Sequence, residues 1–155
     1  MLPYSNDIVT VKLSGQTLLD ALEFGMSLLP GYGPRFPQFS GLRFCVDAGI
    51  ESSVRVDDKG QFVSVDGPRR VSDVTVDGKP LDPEAYYTLS ASSFLLDGGD
   101  GYTMFKDAEL ISKTMLVDNE AVMRYIEEDL GDVIPESYQQ GLLIWAQAQA
   151  LDAAA

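Results

Sequence analysis

The sequence predicts an α+β fold in which a mixed β-sheet is flanked by helices. Several short segments alternate apolar and polar residues, as half-buried strands do, whereas one early and one late segment repeat apolar residues at helical spacing. The chain has 155 residues, of which 45% are hydrophobic and 23% charged. This is the composition of one globular domain. We expect residues 1–146 to form that domain and residues 147–155 to be a disordered tail.

The first strand and the first helix follow from the pattern near the start of the chain. Val9, Val11 and Leu13 alternate with polar residues, which places three apolar side chains on one face of a strand. Ser14 is of a residue type that caps helices. The apolar residues after it share one helical face and are Leu18, Leu19, Leu22 and Met26. We therefore expect a strand that leads directly into a core helix.

The middle of the chain is predicted to contain one loop and several short strands. Residues 30–41 are rich in proline, glycine and aromatic residues, which is typical of an irregular loop. Residues 42–46 alternate as a strand, and Cys45 within it is interpreted as a structural thiol because no neighbouring histidine or lysine would activate it. Residues 57–60 favour a hairpin turn. Residues 86–91 alternate once more and are predicted to form a strand.

The last part of the chain is predicted to contain a second helix and a final strand. Asp118 is expected to cap the helix, which ends at Gly131. Its predicted buried stripe consists of Val122, Tyr125, Ile126 and Leu130. Residues 142–145 form a short apolar segment, which we expect to be the final strand.

Composition argues against several classes of function. Lysine and arginine number 11 against 24 aspartates and glutamates, for a net charge of −13, so we expect no nucleic-acid partner. Histidine is absent, which excludes a Ser-His-Asp or Cys-His catalytic site and removes the usual ligand of zinc and dinuclear phosphatase centres. We therefore expect no metal site in this chain. No apolar run approaches the ~18 residues of a membrane span, and the first residues do not form a signal peptide.

The most unusual segment is DGGDGY at residues 97–102. Its glycines allow positive φ angles and a close approach of a ligand to the backbone. Asp100 stands between Gly99 and Gly101 and offers two acceptor oxygens, which suit a pair of sugar hydroxyls. These residues alone leave open the alternative of an acidic surface turn.

A second candidate site precedes the first strand. Tyr4 supplies an aromatic ring, and Asn6 supplies a carboxamide two residues later. An amide donates and accepts hydrogen bonds at once, as the edge of a purine requires. Taken alone, a tyrosine at such a position is more often a packing residue.

Four segments in order carry a resemblance to a known family: LPYSND, SGLRF, VDGKPLDP and FLLDGGDGY. Across residues 2–145 the chain resembles the C-terminal domain of the 5'-nucleotidase and UDP-sugar hydrolase family. The resemblance implies a substrate-specificity domain that follows an N-terminal metallophosphoesterase domain with two divalent metal ions. It implies no catalytic residue and no cofactor in this chain, which should be inactive by itself. It also implies an extracytoplasmic location.

The resemblance assigns a nucleoside site by motif position. The base would be clamped between Tyr4 and Phe94, Asn6 would address the base edge, and Asp100 would bind the ribose hydroxyls. The ring planes of such a clamp stand about 7 Å apart, twice the stacking distance. The implied substrate-binding residues are Tyr4, Asn6, Phe94, Gly98, Gly99 and Asp100.

Departures from the family pattern keep an alternative open. Ser92 and Ser93 stand where the family usually has Asn-Asp, and the family's upstream glycine-rich segment and catalytic domain are expected to lie outside a sequence that begins at the PYSN motif. The alternative is a non-catalytic binding or structural domain of the same fold that has lost nucleotide binding. A self-contained hydrolase using Asp97 and Asp100 is disfavoured, because carboxylates in a glycine loop would be solvated.

Overall fold

A computed structural model of the chain describes residues 4–31 and 33–136. The strands are β1 (Asp7–Ser14), β2 (Leu42–Val46), β3 (Val54–Val56), β4 (Phe62–Val65), β5 (Val71–Val76), β6 (Lys79–Pro80), β7 (Tyr86–Ser92) and β8 (Glu109–Val117). The α-helices are α1 (Gly15–Met26), α2 (Ser93–Leu96) and α3 (Asp118–Arg124), and a π-helical turn covers Tyr125–Asp129. Short 3₁₀ turns cover Gly99–Gly101 and Thr103–Phe105. The α+β class is confirmed. The predicted final strand at 142–145 and the predicted tail from 147 lie outside the described residues.

The described strands are divided among three small sheets, where the sequence predicted one sheet. Their orders are β7-β1-β8, β2-β5-β6 and β3-β4. Each of these pairings is antiparallel. β1 is the central strand of the first sheet, and it pairs with two strands that come much later in the chain. The central position of β1 therefore places segments that are distant in sequence side by side in one sheet.

The predicted strand and helix at the start of the chain are confirmed. Val9, Val11 and Leu13 of β1 are buried in the main core. The Ser14 hydroxyl accepts a hydrogen bond from the Thr17 amide at 3.1 Å and so caps α1. The apolar face of α1 packs into the core, where Phe24 is fully buried.

Phe24 joins α1 to the segment that follows β7. Its ring packs edge-to-face with Phe62 and Tyr102, with ring centroids 5.7 and 5.0 Å away. Tyr102 donates a hydrogen bond from its hydroxyl to the carbonyl of Arg35 at 2.6 Å. Burial raises the pKa of the Tyr102 phenol well above its usual range, and Asp100 adds to this while Arg35 opposes it. The glycine segment is thus anchored directly to the core.

The middle of the chain agrees with the prediction except at Cys45. β2 and β7 lie where alternation predicts them, and residues 57–60 form the turn between β3 and β4. In that turn the Asp57 carboxylate accepts a hydrogen bond from the Lys59 amide at 2.9 Å. Cys45 is exposed rather than structural, because its position in β2 alternates with the half-buried residues Phe44 and Val46.

The predicted burial of the second helix is wrong. Val122 and Tyr125 are 46% and 44% exposed, and α3 buries none of its residues. The cap is also wrong, because Asp118 is the first residue of α3 and Val117 occupies the N-cap position without a side-chain hydrogen bond. The helical spacing correctly predicted a helix, but spacing does not reveal whether a partner surface covers its apolar face.

No helix in the described part of the chain is long and apolar enough to cross a membrane.

Candidate functional site

The register of the first sheet brings the two sequence-predicted segments to the same end. β1 and β7 run antiparallel with Ile8 opposite Ser92. The segment that precedes β1 therefore meets the segment that follows β7, although 90 residues separate Tyr4 from Phe94. β8 ends there as well, because Asp7 pairs with Val117. We refer to this end, where β1 begins and β7 and β8 end, as the site edge.

Both predicted clamp rings are accessible at the site edge. Tyr4 is 74% exposed and Phe94 is 50% exposed. Large aromatic side chains usually bury most of their surface in a core, so these two exposed rings are available to a ligand. That the two rings face each other across a slot remains a prediction.

A short helix and the glycine loop carry Phe94 into position. The Ser92 hydroxyl accepts a hydrogen bond from the Leu95 amide at 3.4 Å and caps α2. Serine at this position, one of the two departures from the family pattern, therefore has a structural role here. Leu96 turns into the core, while Phe94, two residues earlier, remains on the outside.

The glycine loop packs closely against its neighbours. A Cβ added at Gly99 would lie 2.4 Å from Cε1 of Phe94, so the Phe94 ring rests directly on this glycine. A Cβ at Gly98 would lie 2.4 Å from Cε of Lys106. Gly98 also has a φ angle of 92°, in the region that favours glycine. The backbone angle favours glycine at position 98, and the packed Phe94 ring favours it at position 99.

Asp100 projects from the turn of the loop. Its φ angle is 51°, a left-handed conformation that aspartate tolerates better than most residues. The residue is exposed, and within the described chain its carboxylate has no hydrogen bond or ion pair. Two acceptor oxygens are therefore available on the residue that follows Gly99, against which the Phe94 ring packs.

Asn6 is held at the site edge by a residue that sequence reasoning placed elsewhere. Its Nδ2 donates a hydrogen bond to Oδ2 of Asp118 at 3.2 Å. The backbones of the same two residues are also bonded, from the Asp118 amide to the Asn6 carbonyl at 2.9 Å. Asp118 was predicted as a helix cap, and its partner stands 112 positions away. No local sequence signal would have revealed this pair.

Lysine side chains moderate the negative charge at the site edge. Lys113 forms an ion pair with Asp7 at 2.6 Å. The hydrogen bond to Asp7, its charge and the charge of Asp97 together raise the pKa of Lys113. Lys106, whose aliphatic chain crosses Gly98, adds a second cation beside the loop.

Comparison with known proteins gives a consistent family match. The family model described as "5'-nucleotidase, C-terminal domain" matches residues 1–107. Protein 5NUC of Lutzomyia longipalpis is 34% identical over 138 residues, which are 87% of this chain and 23% of that protein. Protein UshA of Escherichia coli is 25% identical over 126 residues, 81% of this chain and 19% of that protein. This chain thus spans about a fifth to a quarter of these relatives.

Solved structures agree with the sequence comparison. The 5'-nucleotidase precursor of Thermus thermophilus superposes with a TM-score of 0.66 and 34% identity, over 81% of this chain and 23% of that chain. The NAD nucleotidase of Haemophilus influenzae gives a TM-score of 0.61 at 22% identity, over 86% of this chain and 24% of that chain. The second likeness concerns the fold only.

Proposed function

The chain belongs to the 5'-nucleotidase C-terminal domain family, and on that premise we propose that it is the nucleoside-recognition domain of a hydrolase that acts on nucleotides or nucleotide sugars. One observation carries the proposal: two accessible aromatic rings and a glycine loop with an unpaired carboxylate meet at one end of a single sheet. Each of these features, taken alone, also fits a purely structural role, such as a packing residue or an acidic surface turn. Their convergence from positions 90 residues apart favours a ligand site.

The proposed division of roles follows the chemistry of a nucleoside. Tyr4 and Phe94 stack on the two faces of the base, a contact worth about 1–3 kcal/mol per base by alanine substitution and tolerant of base identity. Asn6 hydrogen-bonds the base edge, and Asp100 accepts hydrogen bonds from the ribose hydroxyls. Selectivity therefore depends on the polar groups, while affinity depends mainly on the rings.

Phosphoester cleavage is assigned to an N-terminal metallophosphoesterase domain of the parent protein. The short span of this chain relative to its relatives supports that division. The two divalent metals of such a domain do not fit the residues of this chain, which contains no histidine and, in its described part, no group of three potential ligands.

The proposed location of the parent protein is extracytoplasmic. Support comes from one relative named as a cell wall protein of Listeria monocytogenes, which is 30% identical over 127 residues, 81% of this chain and 14% of that protein.

The clamp can be tested by titrating the chain with nucleosides. We expect adenosine to bind in the upper micromolar to millimolar range, and Phe94→Ala to weaken adenosine and uridine alike by about 5- to 150-fold, the equivalent of one lost stack. Amide shifts in nuclear magnetic resonance spectra measure both. Tyr86→Ala is the matched control, because Tyr86 is an exposed ring at the opposite end of the same sheet.

The same titration separates the sugar contact from the base contact. Asp100→Asn keeps a residue that tolerates the left-handed backbone but removes the charge and one strong acceptor. Adenosine should weaken several-fold, while free adenine should bind as before. Nucleoside binding that is equally strong in wild-type and Phe94→Ala protein would refute the clamp, and absence of all binding would favour the degenerate domain.

A further inference from the structure

The carboxamide of Asn6 has one fixed orientation. An amide side chain can be turned over to exchange its donor and its acceptor, and the hydrogen-bond network decides which way it lies. The Nδ2 atom of Asn6 stands 3.2 Å from Oδ2 of Asp118. An ionised carboxylate only accepts hydrogen bonds. The turned amide would bring Oδ1 against the carboxylate, and so Nδ2 must face Asp118.

Asp118 is itself fixed on two sides, so it cannot rotate away from Asn6. Its backbone amide donates to the Asn6 carbonyl at 2.9 Å. Its other carboxylate oxygen, Oδ1, accepts a hydrogen bond from the Asn119 amide at 2.7 Å. Oδ2 is therefore held towards Asn6 while Oδ1 is occupied.

The group that Asn6 retains for a ligand is an acceptor. No described residue donates a hydrogen bond to Oδ1 of Asn6. A base carbonyl that approached the remaining hydrogen of Nδ2 would lie beside the negative carboxylate of Asp118 and would be repelled. An amino group approaching Oδ1 meets an acceptor and is attracted by the same charge.

We propose that the Asn6–Asp118 pair makes the site selective for bases that carry an amino group at purine position 6 or pyrimidine position 4, adenine and cytosine, over their oxo counterparts hypoxanthine and uracil. The amino group of adenine or cytosine donates where the oxo group of hypoxanthine or uracil accepts. The inference rests on the proposed function, in which Asn6 addresses the base edge. It adds the chemical class of base that the residues of this site recognise.

The direct test compares matched pairs of nucleosides on the unmodified chain. Adenosine should bind roughly 5- to 30-fold more tightly than inosine, and cytidine more tightly than uridine by a similar factor, because one hydrogen bond is made in the first member of each pair and a repulsion replaces it in the second. Nuclear magnetic resonance titration gives the four dissociation constants. Stacking is nearly equal within each pair, so the ratio isolates the polar contact.

A variant that reverses the amide provides a second test. In Asp118→Asn the side-chain carbonyl can still accept from the Asn119 amide, while the new NH₂ group takes the place of Oδ2 and faces Asn6. Asn6 must then turn its Oδ1 towards residue 118, and its Nδ2 becomes available to a base carbonyl. The preference for adenosine over inosine should therefore be lost or reversed, with an adenosine-to-inosine affinity ratio of about one or below. Asp132→Asn, which makes the same charge change at an exposed left-handed residue beyond α3, should leave the ratio unchanged.

The possible outcomes distinguish this inference from the proposed function. Equal binding of adenosine and inosine, with shifts at Phe94 for both, would overturn the inference and leave the nucleoside site intact. An unchanged ratio in a folded Asp118→Asn variant would also overturn it. If no nucleoside binds the unmodified chain, the inference and the proposed function both fail.

Discussion

Glu23→Ala is expected to lower the free energy of unfolding by about 3–5 kcal/mol, a large part of the stability of a domain this size. Glu23 is fully buried on α1. Its two carboxylate oxygens accept hydrogen bonds from the backbone amides of Arg70 and Val71 at 2.9 and 3.0 Å. Alanine would leave both buried amides without a partner, and each would lose a charge-assisted bond.

The side chain of Arg70 extends the same network to the segment that follows α1. Its Nε donates to the Ile50 carbonyl at 2.6 Å, and its Nη1 donates to the Leu29 carbonyl at 2.8 Å. The loss of Glu23 therefore removes its two hydrogen bonds to the amides of Arg70 and Val71 and also weakens the contact between α1 and β5. Urea denaturation measures the change. Glu84→Ala, at an exposed glutamate, should change stability by less than about 0.5 kcal/mol, and an equally small effect at Glu23 would contradict this account.

Gly101→Ala is expected to destabilise the chain by about 2–5 kcal/mol and to distort the glycine loop. Gly101 has a φ angle of 93°, which is unfavourable for alanine. In addition, an added Cβ would lie 2.8 Å from Cζ of Phe24 and 2.9 Å from the carbonyl oxygen of Gly60. The Phe24 ring is fully buried and cannot move aside without disturbing the core.

Gly78→Ala separates the steric part of this effect from the backbone part. Gly78 has a φ angle of 76°, and an added Cβ there would meet nothing within 4 Å. It should therefore lose only about 1–2 kcal/mol, the strain of a left-handed alanine. Thermal or urea unfolding of the two variants gives the comparison. Equal losses at Gly78 and Gly101 would mean that the loop does not press on the core as described.

The start of the fold could be predicted because local pattern and tertiary packing agree there. Val9, Val11 and Leu13 alternate, Ser14 caps the helix, and the structure buries the faces that the pattern predicts. The second helix differs. Its apolar spacing predicted α3, but its burial depends on which surface packs against it, and periodicity contains no information on that partner.

The candidate site shows the same division between local and distant information. The glycine loop and its left-handed residues follow from a local motif, because few other residues adopt those backbone angles. The joining of Asn6 to Asp118 across 112 residues depends on the order β7-β1-β8, which no local pattern specifies. The packing of the Phe94 ring on Gly99 likewise could not be predicted from the sequence pattern.

The base clamp is tested most directly by intermolecular nuclear Overhauser effects between adenosine and the isotope-labelled chain. A base between two rings lies about 3.5 Å from each of them. The account predicts contacts from the adenine ring protons to the side-chain protons of both Tyr4 and Phe94 in the same complex. Contacts to only one of the two rings, or to Tyr86 at the other end of the sheet, would contradict it.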